Sequence, residues 1–182
     1  MKDLADHLFD ILENSIKAEA TEVKIVLGIK NTIFFCTIED NGMGIKDENV
    51  TDPFVTSRKT RRVGLGLPLL KKAVEDTGGF LKISKLKKRG TGLEFKTDIS
   101  HIDAKPFGDM ASTFVDIIYS WPKVNFEIFI KNSNKKTSIF SSKEMKKIFS
   151  YSEMQHNEVR EFIYRSLNKE LNMAGINFQF GN

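Results

Sequence analysis

Thr32–Gly44 (TIFFCTIEDNGMG) joins a run of apolar and β-branched residues to a glycine-containing turn. The run predicts a buried strand over Thr32–Glu39, and the alternation over Glu22–Lys30 predicts a second strand, with Asn31 in a tight turn between them. Asp40 begins the turn that follows. Glycines let the backbone approach a flat or charged ligand closely, and a carboxylate at a strand end can accept a hydrogen bond from an exocyclic amine. Asp-Asn-Gly is also ordinary turn chemistry, so a plain turn is the alternative interpretation.

An amphipathic helix is predicted over Leu4–Ala18, because apolar residues recur on one side at helical spacing. The other side carries Asp10, Asn14 and Lys17, and positions i, i+4 and i+7 stack along one face of a helix. An amide oxygen is a hard ligand suited to Mg²⁺, and a carboxylate can orient or deprotonate a water molecule or a hydroxyl group. An ordinary solvated helix face is the alternative.

A basic loop leads into a second predicted helix, Gly66–Thr77. A glycine-rich turn at a helix N-terminus presents free N–H groups and the positive end of the helix dipole, which suits phosphate. The loop adds four cations, at Arg58, Lys59, Arg61 and Arg62. The pattern lacks the Gly-Lys-Ser/Thr ending of the phosphate-binding loop, and it does not match the dinucleotide-binding fingerprint.

The remaining elements are predicted from the same periodicities. Strands are expected at Phe80–Lys87 and Thr91–Ser100, and a weak boundary falls near residues 101–108. Beyond it we expect helices and strands at Asp109–Ser120, Val124–Lys131, Lys136–Phe140, Ser142–Phe149 and Asn157–Met173. Lys46–Thr51 can form one or two helical turns. The chain is therefore predicted to be α+β, with one domain over 1–100 and a small α+β module over 101–182 packed on it.

Composition narrows the class of protein. The 182 residues are 40% hydrophobic, with 15 Phe, which is ample for a folded core. A net charge of +4 does not by itself indicate a nucleic-acid partner. The single cysteine, Cys36, lies in an apolar run and is expected to be a buried, inert thiol. With no signal peptide and no run of membrane-spanning length, we expect a cytoplasmic protein with no membrane contact.

Five short motifs occur together in an order that resembles the GHKL ATPases (gyrase, chaperone, histidine kinase, MutL). Leu12–Ala18 resembles the asparagine box, Glu39–Ile45 the first glycine box and Asp52–Phe54 the phenylalanine box. Gly64–Leu67 and Gly90–Gly92 resemble the second and the last glycine box. The resemblance covers about residues 1–100. It implies a Bergerat-type α/β sandwich, in which helices cover a mixed, mostly antiparallel sheet.

The resemblance also implies a role for each matching residue. Asn14 would coordinate Mg²⁺, and Asp40 would accept from the adenine amino group. The other nucleotide contacts it implies are Lys17, Gly42, Gly44, Gly64, Leu65, Gly66 and Thr91, with Lys59, Arg61 or Arg62 sensing the γ-phosphate. The general base is either Asp10, four residues before the asparagine, or Glu13; helix geometry turns Glu13 roughly 100° from Asn14 and favours Asp10.

Three functions are compatible with these residues. The first is an ATP-dependent regulator or slow ATPase that uses ATP and Mg²⁺ and acts on a regulatory protein partner. The second is a protein kinase that phosphorylates a partner on serine or histidine; the anti-sigma-factor kinases use a similar bare GHKL module with a compact lid. The third is a non-enzymatic interaction module whose glycine turns are structural.

Overall fold

A computed structural model describes residues 1–44, 66–133 and 135–176. The helices are α1 (Leu4–Lys17), α2 (Gly66–Glu75), α3 (Met110–Ser120), α4 (Ser142–Ile148), α5 (Tyr151–Met154) and α6 (Asn157–Met173). The strands are β1 (Glu22–Lys30), β2 (Ile33–Asp40), β3 (Phe80–Lys85), β4 (Thr91–Asp98), β5 (Asn125–Asn132) and β6 (Lys135–Ser141). The predicted elements in these ranges are confirmed to within about two residues at most ends. The helical turns predicted at 46–51 lie outside the described residues.

The strands form one mixed sheet in the order β3-β4-β2-β1-β5-β6. Every neighbouring pair is antiparallel except β1 and β5, which are parallel. This confirms the predicted α+β class with a mixed, mostly antiparallel sheet. The register places Asp40 beside Val23 and Glu39 beside Gly92, so the end of β2 meets the starts of β1 and β4 at one edge of the sheet.

The hydrophobic core lies between this sheet and the helices. Alternate residues of β2 (Phe34, Cys36 and Ile38) are buried, as the period of two in a strand requires, and they join the leucines of α1 in one cluster. The Cys36 thiol is fully buried, as predicted, and its burial raises its pKa far above the ordinary value. Such a thiol stays protonated and unreactive.

Residues on both sides of the predicted boundary share this sheet and core. β5 pairs with β1, and α3 packs against α1. Two backbone hydrogen bonds also join the first turn of α1 to the later segment. The Leu4 N–H donates to the Pro106 carbonyl and the Ala5 N–H donates to the Phe107 carbonyl, both at 2.9 Å. The division near residue 100 stays a prediction; the structure shows the two parts joined through strand pairing, helix packing and backbone hydrogen bonds.

Candidate functional site

The centre of the site is the Asp40 carboxylate at the end of β2. It is buried and held by three donors: Oδ1 accepts from the N–H groups of Gly42 (2.9 Å) and Thr91 (3.2 Å), and Oδ2 accepts from Ser15 Oγ (3.0 Å). Each carboxylate oxygen offers two acceptor positions. Oδ1 is therefore saturated, whereas Oδ2 keeps one position with which it can accept an N–H from a ligand.

Glycines allow the backbone around Asp40 to pack closely. A Cβ on Gly42 would lie 2.6 Å from the Ala18 carbonyl oxygen, and a Cβ on Gly90 would lie 1.7 Å from the Asp40 carbonyl oxygen. Gly90 also has φ of +106°, which side chains rarely adopt. At Gly42 the absence of a side chain thus allows the protein's own backbone to approach closely.

Two further side chains fix the turn after β2. Asn41 Oδ1 accepts from the Thr21 and Glu22 N–H groups at 2.8 and 3.0 Å, which ties the turn to the start of β1. Arg89 Nε donates to the Gly42 carbonyl at 3.0 Å across 47 residues of sequence. Neither Asn41 nor Arg89 is among the predicted site residues. Arg89 belongs to the basic run before the last glycine box, but nothing in the sequence shows which carbonyl it reaches.

The second part of the site is the polar face of α1. Asn14 Nδ2 donates to Asp10 Oδ2 at 3.3 Å, which leaves the Asn14 amide oxygen available to a ligand. A Cβ on Gly66 would overlap the Asp10 carboxylate, at 1.9 Å from Oδ2, so Asp10 lies directly against the first residue of α2. The structure therefore brings Asp10, Asn14 and the N-terminus of α2 together. That N-terminus carries positive partial charge, which favours anions beside it.

Glu13 and Lys17 pair with each other on a more exposed stripe of α1. Lys17 Nζ lies 2.5 Å from Glu13 Oε2, and 60% of the Lys17 side chain and 31% of the Glu13 side chain are exposed. An exposed i,i+4 pair contributes only a few tenths of a kcal/mol. Such a weak contact can release either side chain to a ligand. Asp10, rather than Glu13, is the carboxylate that packs against Gly66.

His7, one turn before Asp10 on α1, is buried beside the Gly66 backbone, and its Nδ1 has no hydrogen-bond partner among the described residues. Its burial, followed by the positive charges of the Met1 amine and Lys105, lowers its pKa against the opposing effects of Gly66 and Asp6. His7 is therefore a neutral side chain that connects α1 to the start of α2.

Five predicted site residues lie outside the described part of the chain: Lys59, Arg61, Arg62, Gly64 and Leu65. Within the described ranges, no cluster of three or more His, Cys, Asp or Glu side chains has the geometry to hold a metal ion. Among the same residues, no helix combines the length and the apolar character needed to cross a membrane.

The site has the features of the GHKL ATPases. These are a buried carboxylate at a strand end, glycine turns packed against it, and an Asp–Asn helix face beside the N-terminus of a second helix. Residues 2–101 match the family model described as histidine kinase-, DNA gyrase B-, and HSP90-like ATPase. Because this match spans more than half of the chain, the chain belongs to that family. The resemblance inferred from the five motifs is confirmed.

Curated relatives are sensor histidine kinases. The chain is 28% identical over 103 residues to LiaS of Bacillus subtilis (strain 168), which is 54% of this chain and 26% of that protein. It is 28% identical over 97 residues to an NtrY-like protein of Rickettsia conorii, which is 51% of this chain and 16% of that protein. The chain thus spans about a quarter or less of the length of these relatives.

Similar solved structures come from the same superfamily. The Aquifex aeolicus MutL ATPase domain complexed with ADP has a TM-score of 0.50 and 16% identity, over 79% of this chain and 67% of that one. This is a likeness of fold, and it extends beyond the residues matched by the family model. The catalytic domain of histidine kinase ThkA is 28% identical over 51% of this chain and 64% of that chain, with a TM-score of 0.42.

Proposed function

We propose that this protein binds ATP–Mg²⁺ between the end of β2 and α1, and that it acts as an ATP-dependent regulator or slow ATPase. The observation that carries the proposal is the Asp40 carboxylate, which is buried, held by three protein donors, and left with one acceptor position. An exocyclic amine of adenine supplies the matching donor. Membership of an ATPase family supports this choice of ligand.

The polar face of α1 supplies the phosphate end of the proposed site. The free Asn14 amide oxygen is a ligand type that Mg²⁺ accepts, and Mg²⁺ bound with phosphates needs only one or two protein ligands. The donor set of this face thus fits the ion, which when bound would neutralise charge on the phosphates. The N–H groups at the start of α2, which lies beside this face, favour the binding of phosphate oxygens there.

Asp10 is the residue we propose as general base. Its carboxylate lies against Gly66, beside the proposed phosphate position, and accepts a hydrogen bond from Asn14. In that place it can orient a water molecule and take its proton. Because the side chain is short and already shared with Asn14, we expect slow turnover.

Calorimetric titration with ATP, in Mg²⁺ and in EDTA, tests binding. We expect ATP to bind more tightly with Mg²⁺, and Asn14→Ala to remove that difference while Asn172→Ala, at an exposed position on α6, keeps it. A titration without heat, together with a melting temperature that ATP–Mg²⁺ leaves unchanged, would contradict the proposal. A ligand at 100 times its Kd stabilises the folded state by about 2.7 kcal/mol, so the shift is measurable.

Phosphate release from ATP tests the assignment of the base. Asp10→Asn is expected to lower the rate by about 100-fold or more while ATP affinity stays within a few-fold, because a general base contributes to turnover rather than to binding. Glu13→Gln is the matched variant and should keep most of the rate. A rate that falls with Glu13→Gln and not with Asp10→Asn would reverse the assignment.

A protein kinase is the second candidate, and its support is that the curated relatives are sensor histidine kinases. The test is incubation with γ-labelled ATP and candidate partner proteins. Label on a partner's serine or histidine identifies a kinase. Label that is released only as inorganic phosphate identifies an ATPase.

A further inference from the structure

A second cavity lies outside the proposed nucleotide site, where the end of α3 faces α4, α5 and the residues before β5. Its volume is about 290 Å³, and its walls are largely apolar, including Ile118, Val124, Phe149 and Met154. None of the residues assigned to nucleotide binding lines it. A concave pocket with largely apolar walls and a few polar groups is the usual form of a small-molecule site.

Lys146 contributes the cationic group of this cavity. Its Nζ donates to Asn125 Oδ1 at 2.9 Å, and no carboxylate of the described residues lies within ion-pair distance of it. Partial burial lowers the pKa of this ammonium. The next residue, Lys147, is 70% exposed and pairs with Glu144 at 2.7 Å. The two neighbouring lysines therefore differ in one respect that matters: only Lys146 faces a cavity without a compensating charge.

Tyr119 lines the cavity through its ring, and its hydroxyl is buried behind the wall. The buried Tyr119 hydroxyl has no hydrogen-bond partner among the described residues, and burial raises its pKa. A buried donor without an acceptor is energetically unfavourable. An oxygen-bearing ligand can supply an acceptor to Lys146, whereas a purely apolar one supplies none.

We propose that this cavity binds a small organic anion, namely a carboxylate attached to a compact aromatic or short aliphatic body. The apolar walls take the body, and Lys146 takes the carboxylate in a charge-assisted hydrogen bond. At about 30 Å³ for each water molecule of the liquid, 290 Å³ holds about ten waters. A molecule of phenylbutyrate size fits this space.

The probe pair is 4-phenylbutyrate and 4-phenylbutyramide, which share a body and differ in charge. The full chain, labelled with ¹³C at the methionine methyl groups, reports binding through the Met154 resonance, because Met154 lines the cavity. We expect the acid to shift this resonance in a saturable way and the amide to bind at least about tenfold more weakly. Lys146→Gln should weaken the acid by about tenfold or more, and Lys147→Gln should leave it within twofold.

Three results would overturn the assignment. The first is no saturable shift of Met154 up to the solubility limit of the acid. The second is equal affinity for acid and amide, and the third is equal affinity of the Lys146 and Lys147 variants for the acid. Both lysines are exposed residues of α4, Lys146 at the rim of the cavity and Lys147 away from it, and matching melting curves would show that each variant is folded. Since the titration uses no nucleotide, its result does not depend on the proposed ATP site.

Discussion

Replacing Asp40 by asparagine changes one acceptor of the proposed adenine site and little else. In Asp40→Asn the amide oxygen can take the place of Oδ1 and still accept from Gly42 and Thr91. The amide nitrogen then takes the place of Oδ2, where Ser15, now 3.0 Å away, can rotate its hydroxyl to accept. The protein's own hydrogen bonds survive, but the position offered to a ligand becomes a donor.

The size of the effect follows from that exchange. An adenine amine that meets an N–H group instead of a carboxylate oxygen loses its hydrogen bond and stays unpaired. A buried polar group without a partner costs about 1–3 kcal/mol, which is about 5- to 150-fold in Kd for ATP. Inosine triphosphate carries a carbonyl where ATP carries the amine, so the variant should bind it more tightly than the wild type does.

Calorimetric titration of both nucleotides into both proteins is the assay, with Glu39→Gln as the control. Glu39 is the adjacent residue of β2, and its exposed side chain pairs with Lys24 on the other face of the sheet. We expect the wild type and Glu39→Gln to prefer ATP, and Asp40→Asn to lose or invert that preference. If Asp40→Asn melts like the wild type and still prefers ATP by the same factor, Asp40 does not accept a hydrogen bond from the adenine amine.

Two further predictions concern stability. Gly90→Ala should cost at least about 2 kcal/mol in urea unfolding, because its Cβ would lie 1.7 Å from the Asp40 carbonyl oxygen at a φ of +106°. Gly78→Ala, with φ of +73° and no atom within 4 Å, should cost only about 1 kcal/mol, and equal costs would contradict the close approach at Gly90. Burial lowers the His7 pKa, so below the ordinary value of 6.5 the unfolded state binds a proton more readily than the folded state does. The free energy of unfolding should therefore be at its full value above pH 6.5 and fall below it, by up to about 1.4 kcal/mol per pH unit. Unfolding at pH 7.5 and 5.0 should show a smaller loss in His7→Gln than in the wild type, whereas His156→Gln, at an exposed position, should match the wild type.

Secondary structure was largely predictable because periodicity is strong in the elements that line the core. The alternation in β1 predicts both of its ends, Glu22 and Lys30, and the apolar stripe of α1 predicts that helix to within one residue. α5 was missed, since none of its residues is buried and it has no apolar period to detect. Its signal is local: Ser150 and Glu153 form a capping box, a pattern that indicates a helix start even in a polar segment.

The site was only partly predictable because its contacts join distant parts of the chain. Asp40 and Asn14 stand in recognisable motifs, and the structure places both at the site. The hydrogen bond from Ser15 to Asp40 spans 25 residues, and that from Arg89 to Gly42 spans 47. No local pattern specifies such pairs, since they depend on how α1, β2 and β4 are placed relative to one another.

The parallel pairing of β5 with β1 also joins distant parts of the chain, and it affects the structure that supports the site. Residues beyond the family match complete the sheet and hold the helix that carries Asp10 and Asn14. Backbone carbonyls at 106 and 107 accept from the first N–H groups of α1. Asp3 is the N-cap of α1, and a Cβ on Gly108 (φ of +69°) would lie 2.3 Å from its carboxylate carbon, so only a glycine lets the chain pass there. α1 packs on both α2 and α3. The phosphate half of the proposed site, and the Ser15 contact to Asp40 on the same helix, therefore depend for their geometry on residues outside 2–101. The remaining contacts of the proposed adenine half, those of Gly42 and Thr91 to Asp40, lie within that range.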